Sequence, residues 1–236
     1  KLDGITVTGA GTTAVTALHS TLGADLSDID TTTTTAAFDG NGTFTGTLGG
    51  AVVTVGDGFT MTAAATKVAG ETVNKVTNGK LAVTVGTGDA GVNLTTISGT
   101  AIDSVTVTEN VTFTGTLHGS VATTVANGVT LITTAAKATG KSIGDGADSA
   151  TTEITALEAT DAADLSGIST DTVTAAGTLA EGVTQTFTGN LGSAAVTISS
   201  SGNGVDEIFN VDGATMGTAT FTVNANATLQ GTAAKL

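Results

Sequence analysis

Five aspartates are the first residues to suggest chemistry. Asp25, Asp28 and Asp30 fall within six positions, and Asp39 and Asp57 sit in the turn-rich stretches Asp39-Gly40-Asn41-Gly42 and Gly56-Asp57-Gly58. Carboxylates at this spacing can converge on a hard cation, and Ca²⁺ takes about six to eight oxygens from carboxylates and carbonyls. Ca²⁺ is the cofactor these loops predict, with Asp25, Asp28 and Asp30 as the first choice. The same residues also close Asx-turns through their own side chains, a reading that needs no metal.

Threonine supplies the second pattern. Thr43, Thr45 and Thr47 alternate along one stretch, and Thr112, Thr114 and Thr116 along another. On a strand, such residues share one face, so the hydroxyls could form a flat array that binds ice or a glycan. The plainer alternative is that Thr is the polar β-former of an exposed face.

Other chemistry finds little to stand on. His19 and His118 are the only histidines. Both occupy positions of a repeat and read as surface imidazoles. Acidic pairs such as Asp206/Glu207 also lie in repeat turns, whereas acid–base catalysis needs one unique pair in a cleft. The Gly-x-Gly stretches at 9–11, 56–58 and 86–88 lack the Lys-Ser/Thr and the helix of a phosphate loop. An enzyme on a β-helix is therefore the third function class, after structural segment and ligand-binding face.

Composition narrows the partners. The net charge is −14 with only seven Lys and Arg, so no basic patch for nucleic acid can form. There is no Cys, which excludes disulfides and thiolate sites. No apolar run is long enough for a membrane-spanning helix, and membrane insertion is not expected. Aromatics are 3%, Pro is absent and Gly numbers 33. Thr and Val favour strands, and Gly, Asn and Asp favour turns.

The elements that must position these residues follow from an internal repeat. Phe44-Thr45-Gly46-Thr47-Leu48-Gly49 returns as Phe113-Thr114-Gly115-Thr116-Leu117-His118 and as Phe187-Thr188-Gly189-Asn190-Leu191-Gly192. The copies are 69 and 74 positions apart (113 − 44 and 187 − 113). Alternation turns Phe, Gly and Leu inward and Thr outward. Thr16-Ala17-Leu18 and Ala24-Asp25-Leu26-Ser27 return 139 positions later as Thr155-Ala156-Leu157 and Ala163-Asp164-Leu165-Ser166. Ala65-Thr66-Lys67, Ala135-Ala136-Lys137 and Ala233-Ala234-Lys235 form a third set. A fixed period marks a repeat architecture.

These patterns predict an all-β chain. It is a parallel β-helix, or solenoid, of three repeats of about 70 residues, each about three coils of roughly 20–25 residues. The units are 1–66, 67–136 and 137–236, one repeat-built rod segment. Tandem β-sandwich domains are the alternative. Thr31–Thr35 reads as an exposed strand edge, 61–69 and 131–138 as corners or strands, and the insertion between Ser199 and Val223 as one extra coil. The chain begins and ends at the same point of the repeat, which suggests an excerpt of a longer array with edges free at Leu2–Thr8 and Phe221–Leu229.

The repeated motif, Thr-Ala-Leu followed by Ala-Asp-Leu-Ser, Phe-Thr-Gly-x-Leu and Ala-Ala-Lys, resembles the β-strand repeats of very large bacterial surface proteins, RTX-type adhesins and S-layer-like proteins. The resemblance implies an extracellular, cell-surface location and a structural or adhesive role without enzymatic activity. It implies self-association, or contact with neighbouring repeats of the same chain, and a glycan or cell-envelope contact. One departure matters: the Gly-Gly-x-Gly-x-Asp calcium nonapeptide is absent, and Gly144-Asp145-Gly146-Ala147-Asp148 is only a fragment of it.

Overall fold

Strand formation follows the alternation of Thr with Val, Ile, Leu and Phe. In the computed structural model, which describes residues 5–99, 102–146, 149–202 and 207–236, the chain is an all-β parallel β-solenoid of about 10 turns with little helix. Leu2–Gly4, Asp148 and Asp206 lie outside the described residues. No helix among the described residues is long and apolar enough to cross a membrane.

Internal contacts divide the chain into two compact units, Lys1–Thr106 and Val107–Leu236. In the first, one sheet runs through Val7–Val15, Ile29–Phe38, Val52–Val55, Thr72–Lys75 and Ser98–Gly99. A second holds Gly42–Phe44, Thr60–Ala64 and Lys80–Val85. In the second unit, a six-stranded sheet runs through Val111–Thr112, Thr130–Thr134, Thr151–Thr155, Thr172–Leu179, Ala195–Ser200 and Thr220–Val223. Opposite strands are Thr123–Val125, Ile143–Asp145 and Ile168–Ser169, then Thr184–Thr186, Ile208–Asn210 and Thr228–Gln230.

From Ile29–Phe38 onward, successive strands alternate between sheets, so each strand's bonded neighbour lies one full turn away and runs parallel to it. Val53 faces Val73 and Met61 faces Leu81, both 20 positions on. Thr130 faces Thr151, 21 positions on, and Ala195 faces Thr220, 25 positions on. These steps match the expected coil length. The insertion is an added turn: it contributes Ile208–Asn210 to one sheet and Thr220–Val223 to the other.

The core is built from the inward positions. Phe38, Phe44, Val53, Met61 and Leu81 are buried in the first unit, and Phe113, Leu131, Ile154, Phe187 and Phe209 in the second. The three motif phenylalanines are at most 1% exposed. Phe187 and Phe209 stack with ring centroids 5.9 Å apart. Identical or similar apolar residues on neighbouring turns thus form ladders, as at Ile143 and Ile168.

Corners take small residues. Gly46 passes so close to the turn below that an added Cβ would lie 1.9 Å from Ala24 O, and at Gly189 the same atom would lie 2.1 Å from Ala163 O. Stretches 61–69 and 131–138 each begin as a strand and end in one α-turn, α1 (Ala65–Val68) and α2 (Ala135–Ala138). Thr31–Thr35 lies inside the strand Ile29–Phe38 and is exposed or half-buried: it pairs with Val7–Val15 on one side, while the register with Val52–Val55 on the other side begins only at Thr35.

Candidate functional site

The predicted acids occupy turns and do not gather. Asp25 accepts hydrogen bonds from Ser27 Oγ at 2.6 Å and Ser27 N–H at 3.0 Å. These bonds, the hydroxyl first and the amide second, hold its carboxyl below the usual aspartate range. Asp164 repeats the arrangement with Ser166 and is lowered for the same reasons. Asp28, Asp30 and Asp39 are exposed. Asp57 accepts from Asn78 N–H at 3.1 Å and Asn78 Nδ2 at 2.8 Å, one turn on. Among the described residues, no three His, Asp or Glu side chains come together in a group that could hold a metal ion.

What the polar side chains do instead is join one turn to the next. Asn41 Oδ1 accepts from Thr60 N–H at 2.8 Å, and Asn110 Oδ1 accepts from Thr130 N–H at 2.8 Å. Asp103 accepts from Leu81 N–H at 2.8 Å and pairs with Lys75 Nζ at 2.6 Å. Glu158 accepts from Thr178 N–H at 3.0 Å, and Asp212 from Thr232 N–H at 2.6 Å. The buried Asp89 accepts from Thr66 N–H at 2.7 Å, which satisfies an orphan donor in the first turn of α1. Sequence reasoning missed these clips. A signal existed for one pair: Asn41-Gly42-Thr43-Phe44 and Asn110-Val111-Thr112-Phe113 share Asn three residues before the motif Phe.

The threonines obey the predicted alternation. Thr43, Thr45, Thr47, Thr112 and Thr114 are exposed and Thr116 is half-buried, while Phe44, Gly46, Leu48, Phe113, Gly115 and Leu117 between them are buried. They do not form one sheet surface. Thr43 and Thr112 lie in strands, whereas Thr47 sits at a corner bridged to Asp25. The longer hydroxyl rank is elsewhere: Thr130, Thr151 and Thr172 face one another in register on the six-stranded sheet. The neighbouring rank is broken by Ile132 and Glu153 before Thr174.

Some hydroxyls point inward. Thr133 Oγ1 donates to Phe113 O at 3.0 Å, and Thr170 Oγ1 lies 3.0 Å from both Thr152 Oγ1 and Thr172 O. Hydrogen bonding is what makes a buried hydroxyl tolerable. Glu207, by contrast, is 1% exposed, and neither carboxylate oxygen has a hydrogen-bond partner among the described residues. The histidines are corner residues and only half exposed. His19 meets the Phe38 ring edge-to-face at 6.3 Å, and His118 Nδ1 accepts from Val121 N–H at 3.3 Å.

The chain matches no protein-family model, no curated protein and no solved structure.

Proposed function

We propose that this chain is a non-enzymatic structural segment of a bacterial extracellular surface protein, part of a surface layer or a giant adhesin. The observation that supports this reading is the use of its polar side chains. Asn41, Asp57, Asp103, Asn110, Glu158 and Asp212 each reach to a neighbouring turn rather than into a shared cleft. Such a design makes the turns themselves the product of the sequence. Its partners are neighbouring repeats or further copies, with a glycan or cell-envelope contact. Antibodies against the purified chain are expected to label intact source cells and to lose that label after surface proteolysis. Label that appears only after permeabilisation overturns the reading.

A second reading rests on the in-register Thr130, Thr151 and Thr172 rank. Spaced by one sheet repeat of about 4.8 Å, the three hydroxyls form a regular row that an ordered ligand, ice or a glycan, could match. An ice-recrystallisation assay and a glycan array, each run with Thr151→Val, test it. Loss of activity in the variant supports it, and equal or absent activity in both proteins removes it.

A further inference from the structure

Asn-Gly dipeptides occur in the chain at 41–42, 78–79, 127–128 and 203–204. Glycine has no Cβ to shield its nitrogen or restrict its backbone, so that nitrogen can reach the side-chain amide of the residue before it. Asn203-Gly204 lies outside the described residues. Asn41, Asn78 and Asn127 are all exposed, yet the fold holds them differently.

Asn78 is pinned at three points. Its N–H and Nδ2 donate to Asp57 Oδ1 at 3.1 and 2.8 Å, and the buried Gly79 donates its N–H to Val76 O at 2.8 Å. Asn41 is pinned too. Its Oδ1 accepts from Thr60 N–H, and Gly42 opens the strand Gly42–Phe44, in register with Met61–Ala63. Asn127-Gly128 is looser. Both residues are exposed, and the turn is closed outside them, by Val129 N–H donating to Ala126 O at 3.1 Å. Gly128 N–H has no partner among the described residues.

Ser149, one turn on, completes the arrangement. Its Oγ–H donates to Asn127 Oδ1. Among the described non-glycine residues with positive φ, Ser149 has the largest, 82°. Such a conformation persists only where neighbours impose it. Asp171 does so, accepting from Ser149 N–H and from Ala150 N–H, the latter at 3.2 Å. The strained residue thus holds a hydroxyl on the atom of Asn127 where negative charge develops when Cγ is attacked.

We infer that Asn127-Gly128 is a self-modification site, where the chain closes a succinimide on itself. Gly128 N attacks Asn127 Cγ and gives its proton to water. Ser149 Oγ–H meets the charge that builds on Oδ1. Nδ2 takes a proton from water and leaves as ammonia, which closes the imide ring. Water then opens the ring. Attack at Cγ gives aspartate, and attack at the backbone carbonyl gives isoaspartate, with the main chain running through Cγ. The sum is amide plus water to carboxylate plus ammonium, with nothing oxidised or reduced. The reaction does not depend on where the protein resides.

The test is peptide mapping by mass spectrometry of the full 236-residue chain, aged at mildly alkaline pH in heavy-oxygen water. Asn127 is expected to convert roughly tenfold faster than Asn78, whose glycine must first give up a hydrogen bond. It should take up the label and yield both aspartate and isoaspartate. Ser149→Ala and Ser149→Gly are each expected to slow Asn127 several-fold and to leave Asn78 unchanged. The glycine variant also relieves the backbone, so slowing shared by both variants reports the hydroxyl and not a fold defect. In urea, where the hydroxyl is no longer held, all three chains should convert Asn127 at one rate. An Asn127 that outlasts Asn78 in the folded chain, or that converts equally fast with and without the Ser149 hydroxyl, overturns the inference.

Discussion

At the scale of single residues, inside and outside are set by the two-residue period, and the consequences are measurable. Phe113 is fully buried between ladders of apolar side chains. Phe113→Ala removes the ring and leaves a cavity, and is expected to lower stability by about 3–5 kcal/mol in urea unfolding. Thr112→Ala on the opposite, exposed face is expected to change it by less than about 0.5 kcal/mol. Acid titration probes the Ser clips. Asp25 and Asp164 have folded-state carboxyls held below the ordinary range by Ser27 and Ser166. A depressed pKa stabilises the fold fully above the unfolded aspartate value near about 4, and that contribution is lost as pH falls through the lower folded value. Carboxyl ¹³C shifts should show both groups titrating below the ordinary aspartate range, and Ser27→Ala should return Asp25 toward the ordinary value while leaving Asp164 unmoved.

At the scale of elements, turns stack only where the corners are thin. A Cβ at Gly46 would fall on Ala24 O at 1.9 Å, a contact with backbone that no rotamer change relieves. Gly46→Ala and Gly189→Ala are each expected to cost about 1–3 kcal/mol by forcing the turns apart. Gly119→Ala, where the nearest atom is the flexible end of Lys141 at 3.9 Å, is expected to be neutral or slightly stabilising in the same melts. These elements also show what was legible in the sequence. The Phe-Thr-Gly-x-Leu motif announced its own strand, its inward face and its period, because side-chain alternation is local. The pairing of Thr130 with Thr151 and Thr172 was not legible, since register across turns of 17 to 26 residues (Thr35 to Val52, Thr72 to Ser98) depends on corner lengths. The same holds for Asn41 and Asn110. Their partners are amides one turn away, which carry no side-chain signature.

At the scale of the whole molecule, the net charge of −14 is spread over turns and clips instead of being gathered at ligand groups. Asp25 is engaged by Ser27 and Asp57 by Asn78, so these carboxylates already have donors. Calcium is therefore expected to act as a screening ion: millimolar CaCl₂ and NaCl of matched ionic strength should raise the melting temperature equally after EDTA treatment. A larger rise with CaCl₂ would support the calcium expectation placed on Asp25, Asp28, Asp30, Asp39 and Asp57. Stability in a stacked architecture is close to a sum over neighbouring turns, so such effects stay local to the turn concerned.

The extra turn in the second unit shows how this chain can change length. Thr184 faces Ile208, 24 positions on, and the ladders continue on either side of the added segment. Insertions and deletions are thus absorbed in whole-turn quanta, and the gene can lengthen or shorten its product without redesigning a core. Deleting the 24 residues 188–211 joins Phe187 to Asp212 at the corresponding point of the next turn, and should leave a cooperatively melting protein. Deleting residues 188–199, half as many, removes half a turn, brings a strand of one sheet to the place of a strand of the other, and should abolish the melt. For a protein of this kind, length is the heritable trait most easily varied, and frame on the turn is the rule that variation must keep.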